Sequence, residues 1–240
     1  MLAVPRWGIG CGGASKSGSV DLESGGDTPM RFRLTYEGSL KSSQDRPAPG
    51  KTDRRAAHKH ELRRHFHKQL KHFFETDKFL SGPHFEVPRH LQARFGVEDN
   101  TVRPRAEVLP HLYEKFGYRF VPLVRDEEFL SCSLRILLLR RDPPGSIYNR
   151  GDIDNRIKTV LDALRQPASA KEVSMLPAGM DEDPFFVLLE DDSQVTHLEV
   201  ETDRLLVPTT CDADDVATVH LVISVDVRPY FGTFDNGSFL

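Results

Sequence analysis

The chain has 240 residues, of which 38% are hydrophobic and 28% charged, and its formal net charge is −4. This composition is ordinary for a soluble globular protein of one or two domains. No apolar run approaches the ~20 residues that span a bilayer, and the first residues lack the features of a signal peptide. We therefore expect a protein without membrane contact.

The cysteines exclude two further classes of protein. They are odd in number, widely spaced and never in a Cys-x-x-Cys pair, so they offer neither a disulfide framework nor a zinc knuckle. We expect reduced thiols in a cytoplasmic protein at these positions: Cys11, Cys132 and Cys211.

The charge is distributed unevenly along the sequence. Residues 51–75 contain eight Lys or Arg, five His and only three acids, whereas residues 181–215 contain twelve acids and a single Arg. A local basic surface can bind phosphates whatever the net charge of the chain. The alternative is a solvated helix face. We expect phosphate contacts from five cations of the basic segment: Lys51, Arg54, Arg55, Arg63 and Arg64.

The first predicted elements are a strand and a helix. Residues 1–29 are rich in Gly and Ser without a hydrophobic period, which predicts a disordered extension. Polar and apolar residues alternate over 31–38, as in a half-buried strand. Over 53–76 apolar residues recur every three or four positions and predict an amphipathic helix. Its buried stripe comprises Leu62, Phe66, Leu70, Phe73 and Phe74.

The middle of the chain is predicted to combine irregular structure with strands. Residues 80–117 are rich in Pro and mixed charge, with one helix expected over 106–116. Two strands are expected over 118–124 and 129–139. We predict a loop over 166–184.

The last predicted elements are strands, and with them the expected fold class can be stated. We predict one strand running from Phe185 through an acidic cluster to Thr202, and a final strand over 216–227. The order of elements indicates an α+β protein, a mixed β-sheet with helices packed mainly on one face. The folded domain would span 30–230, with insertions near 80–117 and 166–184, followed by a tail over 231–240.

The segment from Gly151 to Leu164 carries the first chemical motif. Asp152 and Asp154 fall where a helix should begin, so both carboxylates can reach the volume in front of its first turn. Lys158 follows four residues later, and Asp154, Lys158 and Asp162 are expected on the exposed side. The alternative is structural, because Asp152 can act as an N-cap and Asp154 can pair with Lys158.

A second acidic cluster argues against a purely structural role. Glu190, Asp191 and Asp192 stand between apolar residues, a costly position unless a cation or solvent satisfies them. On a strand Asp191 and Asp192 would point to opposite faces, so we expect a structural role for Asp191. Two separated acidic groups that converge would suit Mg²⁺, which takes one or two carboxylates together with water and phosphate oxygens.

Together the two motifs resemble the RusA-type Holliday junction resolvases. The matching residues are Asp152, Ile153, Asp154 and Asn155, then Lys158 and Asp162-Ala163-Leu164, and later Asp191-Asp192-Ser193-Gln194-Val195. The resemblance implies a RusA-like fold, Mg²⁺ bound by Asp152, Asp154 and Asp192, and a functional Lys158. It also implies a homodimer that cleaves four-way DNA junctions in recombination and repair.

The residue types suit phosphodiester hydrolysis, in which a cation activates water and polarises the phosphoryl oxygen. Lys158 would stabilise the charge of the transition state or position the water. Two other functions stay open: a DNA-junction binding protein without catalysis, and an acidic module that binds a basic protein partner.

Overall fold

The computed structural model describes residues 30–40, 54–141, 153–173, 178–206 and 218–233, together with Asn236 and Phe239. The strands are β1 Met30–Ser39, β2 Phe85–Glu86, β3 Val102–Arg103, β4 Glu114–Lys115, β5 Tyr118–Val124, β6 Leu130–Arg140, β7 Phe185–Leu189, β8 Val195–Arg204 and β9 Thr218–Pro229. The helices are α1 Arg54–Thr76, α2 Lys78–Ser81, α3 Arg89–Phe95, α4 Arg105–Leu112 and α5 Ile153–Leu164.

A four-stranded mixed sheet in the order β1-β9-β6-β8 forms one layer of the fold. Strand β9 is antiparallel to β1 and β6, whereas β6 and β8 are parallel. Alternate residues of the three strands β1, β9 and β6 face the core, among them Leu34, Ile223 and Ile136, which are all buried. The alternation predicted over 31–38 is confirmed in β1. Strands β9 and β6 alternate in the same way, because only one face of the sheet is covered.

Helix α1 packs on the covered face and confirms the predicted amphipathic stripe. Leu62, Phe66, Leu70 and Phe74 are buried, and the Phe73 ring lies 4.4 Å from the ring of Phe32 on β1. Apolar residues four apart lie on one side of a helix, so this side contacts the sheet.

A second sheet, in the order β4-β5-β7, also packs against α1, through strand β7. Strand β7 is parallel to β5, and all five of its residues are buried. The backbone N–H of Phe186 on β7 donates to Nδ1 of His67 on α1 at 2.8 Å. The helix therefore joins the two sheets.

The single strand predicted over 185–202 is wrong. The structure divides this segment into β7 and β8, which belong to different sheets. A 3₁₀ turn, Asp192–Gln194, separates them and contains part of the acidic cluster. The cause is local, because the Asp191 side chain accepts from the Ser193 N–H at 3.0 Å and redirects the chain.

Residues 80–117 are more ordered than expected. They contain the end of α2, helices α3 and α4, and the β2–β3 ladder, and the helix predicted over 106–116 ends at Leu112. Glu114 and Lys115 instead form β4, which turns into β5 through Phe116 and Gly117, both with positive φ. The predicted loop over 166–184 contains two 3₁₀ turns, Ala170–Glu172 and Met180–Glu182. The α+β class is confirmed, but the described residues form three sheets in place of one.

No helix or strand of the described residues covers the outer face of the four-stranded sheet. A groove of about 470 Å³ crosses it, lined by Arg33, Arg135, Glu199, Glu201, Val222 and Ser224 among others. The basic residues Arg31 and Arg33 lie on the β1 edge, whereas Glu199 and Glu201 lie on the β8 edge. Opposite charges thus occupy opposite edges of this outer face.

None of the helices in the described ranges is long and apolar enough to span a membrane.

Candidate functional site

Helix α5 carries the first motif on a solvent-facing side. Ile157, Val160 and Leu164 are buried against the rest of the protein, as the periodicity predicts. Asp154 and Lys158 are exposed and lie four residues apart, about one helical turn. Asp152 lies outside the described residues. The described part of the motif therefore offers one carboxylate and one ammonium group to a ligand.

Asp162 does not lie on this exposed side, which corrects the expectation from spacing. It is buried, and its carboxylate accepts from Lys59 Nζ at 2.5 Å and from Arg165 Nη2 at 2.8 Å. Burial alone would raise the pKa of Asp162, but the adjacent Lys59 and Arg165 outweigh burial and hold the pKa below its usual value. Asp162 therefore joins α5 to α1 as a charged residue.

The second motif forms a compact acidic turn over residues 190–194. The Gln194 Oε1 atom accepts from the N–H groups of Glu190 at 3.1 Å and Asp191 at 3.2 Å. Asp191 caps the turn through Ser193, so its carboxylate is engaged in the local fold. The expectation that Asp191 lies on a strand is wrong. Its structural role instead follows from this capping bond, which also holds the pKa of Asp191 below its usual value.

Asp192, like Asp191, is exposed to solvent in the acidic turn. Its side chain is 54% exposed, and its Oδ2 atom lies 3.9 Å from Nε of Arg165. The backbone supports this approach, because the N–H of Gln166 donates to the carbonyl of Leu189 at 3.0 Å. The end of α5 and the acidic turn are therefore in contact, although the 25 residues 165–189 separate the two motifs in sequence.

The contacts of the described residues do not bring Asp154 and Asp192 together. They join Asp192 to the last turn of α5, whereas Asp154 lies in the first. Eight residues from Asp154 to Asp162 correspond to a rise of about 12 Å. Within the described ranges, no three His, Cys, Asp or Glu side chains form a group that could hold a metal ion.

The two exposed carboxylates nevertheless have the donor chemistry that Mg²⁺ requires. Mg²⁺ binds oxygen atoms, usually those of one or two carboxylates, and keeps several water molecules. Asp154 and Asp192 are exposed, so both can contact a hydrated cation.

The basic helix is only partly available to a nucleic acid. Arg63 is 1% exposed, and its guanidinium donates to the carbonyls of Arg165, Asp162 and Glu172 at 2.7–3.2 Å. A phosphate contact from Arg63 is therefore contradicted, because its donors are used inside the protein. Arg64 is partly exposed and pairs with Glu182 at 2.6 Å. Lys51 and the side chains of Arg54 and Arg55 lie outside the described residues.

Helices α1 and α5 run side by side in the same direction. Lys59 contacts Asp162, and Arg63, four residues later, contacts the backbone of Asp162 and Arg165. Because the contacts advance along both helices together, the beginning of α1 lies at the same end of the pair as the beginning of α5. Arg54 and Arg55 therefore start α1 at the end where Asp154 and Lys158 are exposed.

Sequence reasoning missed Lys59 and Arg165 as residues of this region. Arg165 follows Asp162 by three residues, a spacing that places side chains together on a helix and could have indicated the pair. Lys59 is 103 residues from Asp162, and no local pattern connects them.

Comparisons of the chain with protein-family models, curated proteins and solved structures give no match.

Proposed function

We propose that this protein is a RusA-like, Mg²⁺-dependent endonuclease that cleaves four-way DNA junctions in recombination and repair. The observation that carries the proposal is the contact between the two motifs. Asp192 of the acidic turn approaches Arg165 at the end of α5, and Asp154 and Lys158 are exposed on the same helix. The two sequence motifs on which the RusA resemblance rests are thus adjacent in the fold.

The nuclease proposal assigns cation binding to three carboxylates, of which Asp154 and Asp192 are exposed: Asp152, Asp154 and Asp192. When bound, Mg²⁺ lowers the pKa of a coordinated water and polarises the phosphoryl oxygen. Lys158 is exposed one turn after Asp154, where its ammonium would neutralise the phosphate of the bound strand.

The position of Asp192 near the end of α5 favours a second candidate function. Asp154 lies in the first turn of α5, about 12 Å of helix rise before Asp162, and carboxylates at opposite ends of such a helix do not share one cation. In this second function the protein would bind branched DNA without cleaving it.

A cleavage assay distinguishes the two functions. A four-way junction, a replication fork and a linear duplex of the same sequences are incubated with the protein, with and without Mg²⁺. The nuclease proposal expects paired cuts in the four-way junction only when Mg²⁺ is present. Binding of the junction without cleavage at any Mg²⁺ concentration would establish the second function instead.

We also propose that the protein forms a homodimer through the outer face of the four-stranded sheet. A two-fold axis parallel to the strands would place the β1 edge of one copy over the β8 edge of the other. Arg33 would then face Glu199 of the second copy, and the charges of the groove would be complementary. Two copies would present two sites to opposite strands of a junction.

A further inference from the structure

Three exposed aromatic side chains contact each other at one end of the four-stranded sheet. Tyr230 and Phe231 follow the end of β9 and are 59% and 61% exposed, whereas Phe129 precedes β6 and is 37% exposed. The centroid of the Phe129 ring lies 5.8 Å from that of Tyr230 and 5.4 Å from that of Phe231, both in edge-to-face contacts. Exposed apolar residues commonly stand singly, so a contact group of three indicates a binding surface. We call Phe129, Tyr230 and Phe231 the aromatic cluster.

The backbone holds the aromatic cluster in place. The N–H of Tyr230 donates to the carbonyl of Phe129 at 2.9 Å, which continues the β6–β9 ladder beyond its last pair. The side-chain amide of the buried Asn236 donates to the carbonyl of Phe231 at 2.7 Å. A ligand of the aromatic cluster would therefore meet rings on an ordered backbone, which lowers the entropic cost of binding.

Acidic side chains border the aromatic cluster. Tyr230 Oη donates to Asp126 Oδ1 at 3.0 Å, and the N–H of Asp126 donates to Glu190 Oε2 at 3.3 Å. Glu127, which follows Asp126, is exposed. The acidic turn lies at the same end of the sheet, because the strand order places the start of β8 beside the start of β6.

Three arginines near the aromatic cluster are paired with acids. Arg228 lies near the end of β9, and its Nε and Nη2 donate to Asp226 at 2.8 and 3.1 Å. Arg31 on β1 shares Asp226 at 2.8 Å. Arg125, at the end of the neighbouring strand β5, is 1% exposed and pairs with Glu128. A ligand therefore meets unpaired negative charge beside the rings, and the complementary ligand is a cation.

We propose that the aromatic cluster and Asp126 bind an arginine side chain of a basic protein partner. Aromatic faces attract a cation within about 6 Å of the ring centroid, and arginine is the more frequent cation in such contacts. Its planar guanidinium can stack on a ring while its N–H groups donate to a carboxylate. A nucleobase would also stack on exposed rings, but the carboxylates beside them would repel its phosphate. Binding here is independent of the proposed cleavage, because the aromatic cluster contains no residue of the two motifs.

Calorimetric titration of the full chain with a capped tetra-arginine peptide provides the test. A tetra-citrulline peptide is the control ligand, since its side chains have the same planar shape without the charge. Tetra-arginine is expected to bind about tenfold or more tightly than tetra-citrulline. The double variant Tyr230→Leu with Phe231→Leu loses two rings and keeps apolar side chains, so its affinity for tetra-arginine should fall by about five- to thirtyfold.

Three further variants separate the rings and the charge from general effects. Asp126→Asn keeps an acceptor for the Tyr230 hydroxyl but loses the carboxylate charge, so it should weaken tetra-arginine binding by about two- to fivefold. Phe116→Leu changes an exposed ring between β4 and β5, and Glu75→Gln changes an exposed acid of α1. Both should bind tetra-arginine as the wild type does. Thermal unfolding verifies that each variant is folded, as expected for substitutions at exposed positions.

Several outcomes would overturn the arginine site. Equal affinity for tetra-arginine and tetra-citrulline would do so, as would a double variant that binds like the wild type or a folded wild type that binds no tetra-arginine. Binding of single-stranded hexathymidylate in place of tetra-arginine, lost in the double variant, would make the aromatic cluster a base-stacking surface. A wild-type dimer in light scattering that the double variant does not form would instead assign the rings to a second copy of the chain.

Discussion

His60 is a titratable residue in the interior next to the site. It is 2% exposed on α1, and its Nε2 lies 3.3 Å from Oη of Tyr118. Burial, together with the adjacent Arg63 and Arg64, lowers the pKa of His60 from 6.5 to about 4, although Glu182 opposes this shift. The imidazole is therefore neutral in the folded protein at pH 7.

The free energy of unfolding should decrease in mild acid because of His60. Between pH 6.5 and 4 the unfolded chain binds a proton that the folded protein does not, so stability is lost as the pH falls through this window. We expect His60 to contribute a loss of about 2 kcal/mol between pH 7 and pH 5. Urea unfolding of His60→Asn should show a smaller loss than the wild type. The exposed His72 provides the matched control, and a His60→Asn protein as acid-sensitive as the wild type would contradict the assignment.

The two adjacent acids of the acidic turn should respond differently to substitution. Asp192→Asn keeps the shape but removes an exposed charge, so it should abolish Mg²⁺-dependent cleavage and leave DNA binding and stability nearly unchanged. Asp191→Asn weakens the bond to the Ser193 N–H and should lower stability by up to about 1 kcal/mol, with a milder loss of cleavage. Cleavage and thermal unfolding are measured for both.

The same experiment tests the first motif. Asp152→Asn and Asp154→Asn are each expected to abolish cleavage, as Asp192→Asn does. Full cleavage by any of the three variants would remove that residue from the site.

At the scale of elements, α1 has two different basic parts. Its middle is held inside the protein, because Arg63 bonds to three carbonyls and Lys59 to Asp162. Its beginning carries Arg54 and Arg55 at the end of the helix pair where Lys158 is exposed. The proposed DNA contact therefore concerns the beginning of α1 and not its middle.

Substitutions at the beginning of α1 should therefore change DNA binding, whereas substitutions in its middle should change stability. Replacing Arg54 and Arg55 by Gln should weaken binding to every DNA sequence and reduce the slope of log affinity against log salt by about 2, one unit per phosphate contact. Arg63→Gln should leave that slope unchanged and lower stability by about 2 kcal/mol or more, since buried carbonyls lose their donor. Fluorescence titrations at several salt concentrations measure the slope. An unchanged slope in the Arg54 and Arg55 double variant would place the DNA surface elsewhere.

At the scale of the whole molecule, the proposed dimer would form through the outer face of the four-stranded sheet. Four strands about 4.8 Å apart and roughly 30 Å long present a face of about 600 Å². A standard interface buries about 800 Å² per partner, so this face would supply most of a modest dimer. The contact would depend on the charged residues that line the groove: Arg33 on β1, Arg135 on β6, and Glu199 and Glu201 on β8.

Charge reversal provides the test of this dimer. The variant Arg33→Glu with Arg135→Glu, and the variant Glu199→Arg with Glu201→Arg, should each be monomers of about 27 kDa in light scattering. An equal mixture should restore the dimer, because each chain then meets its opposite charge. Arg119→Glu, on another sheet, is the control and should not change the mass. A mixture that stays monomeric would contradict the proposed face.

The sequence by itself determined the local elements wherever one period dominates. The apolar stripe of α1 and the alternation of β1 repeat over several turns or residue pairs, so both could be predicted from spacing. Prediction failed between β7 and β8, where one capping bond from Asp191 ends a strand that the apolar pattern would continue. Hydrophobic periodicity gives no sign of a single hydrogen bond of this kind.

For the candidate site, the sequence determined which acids belong to the motifs, and the tertiary structure decided which of them face solvent. Spacing placed Asp162 beside Lys158, but Lys59 from a distant helix neutralises Asp162 and allows its burial. In the same way, Arg63 resembles any surface cation in sequence and is buried because three backbone carbonyls meet it there. Charges are buried only where partners compensate them, and the partners here come from elements far apart in the chain.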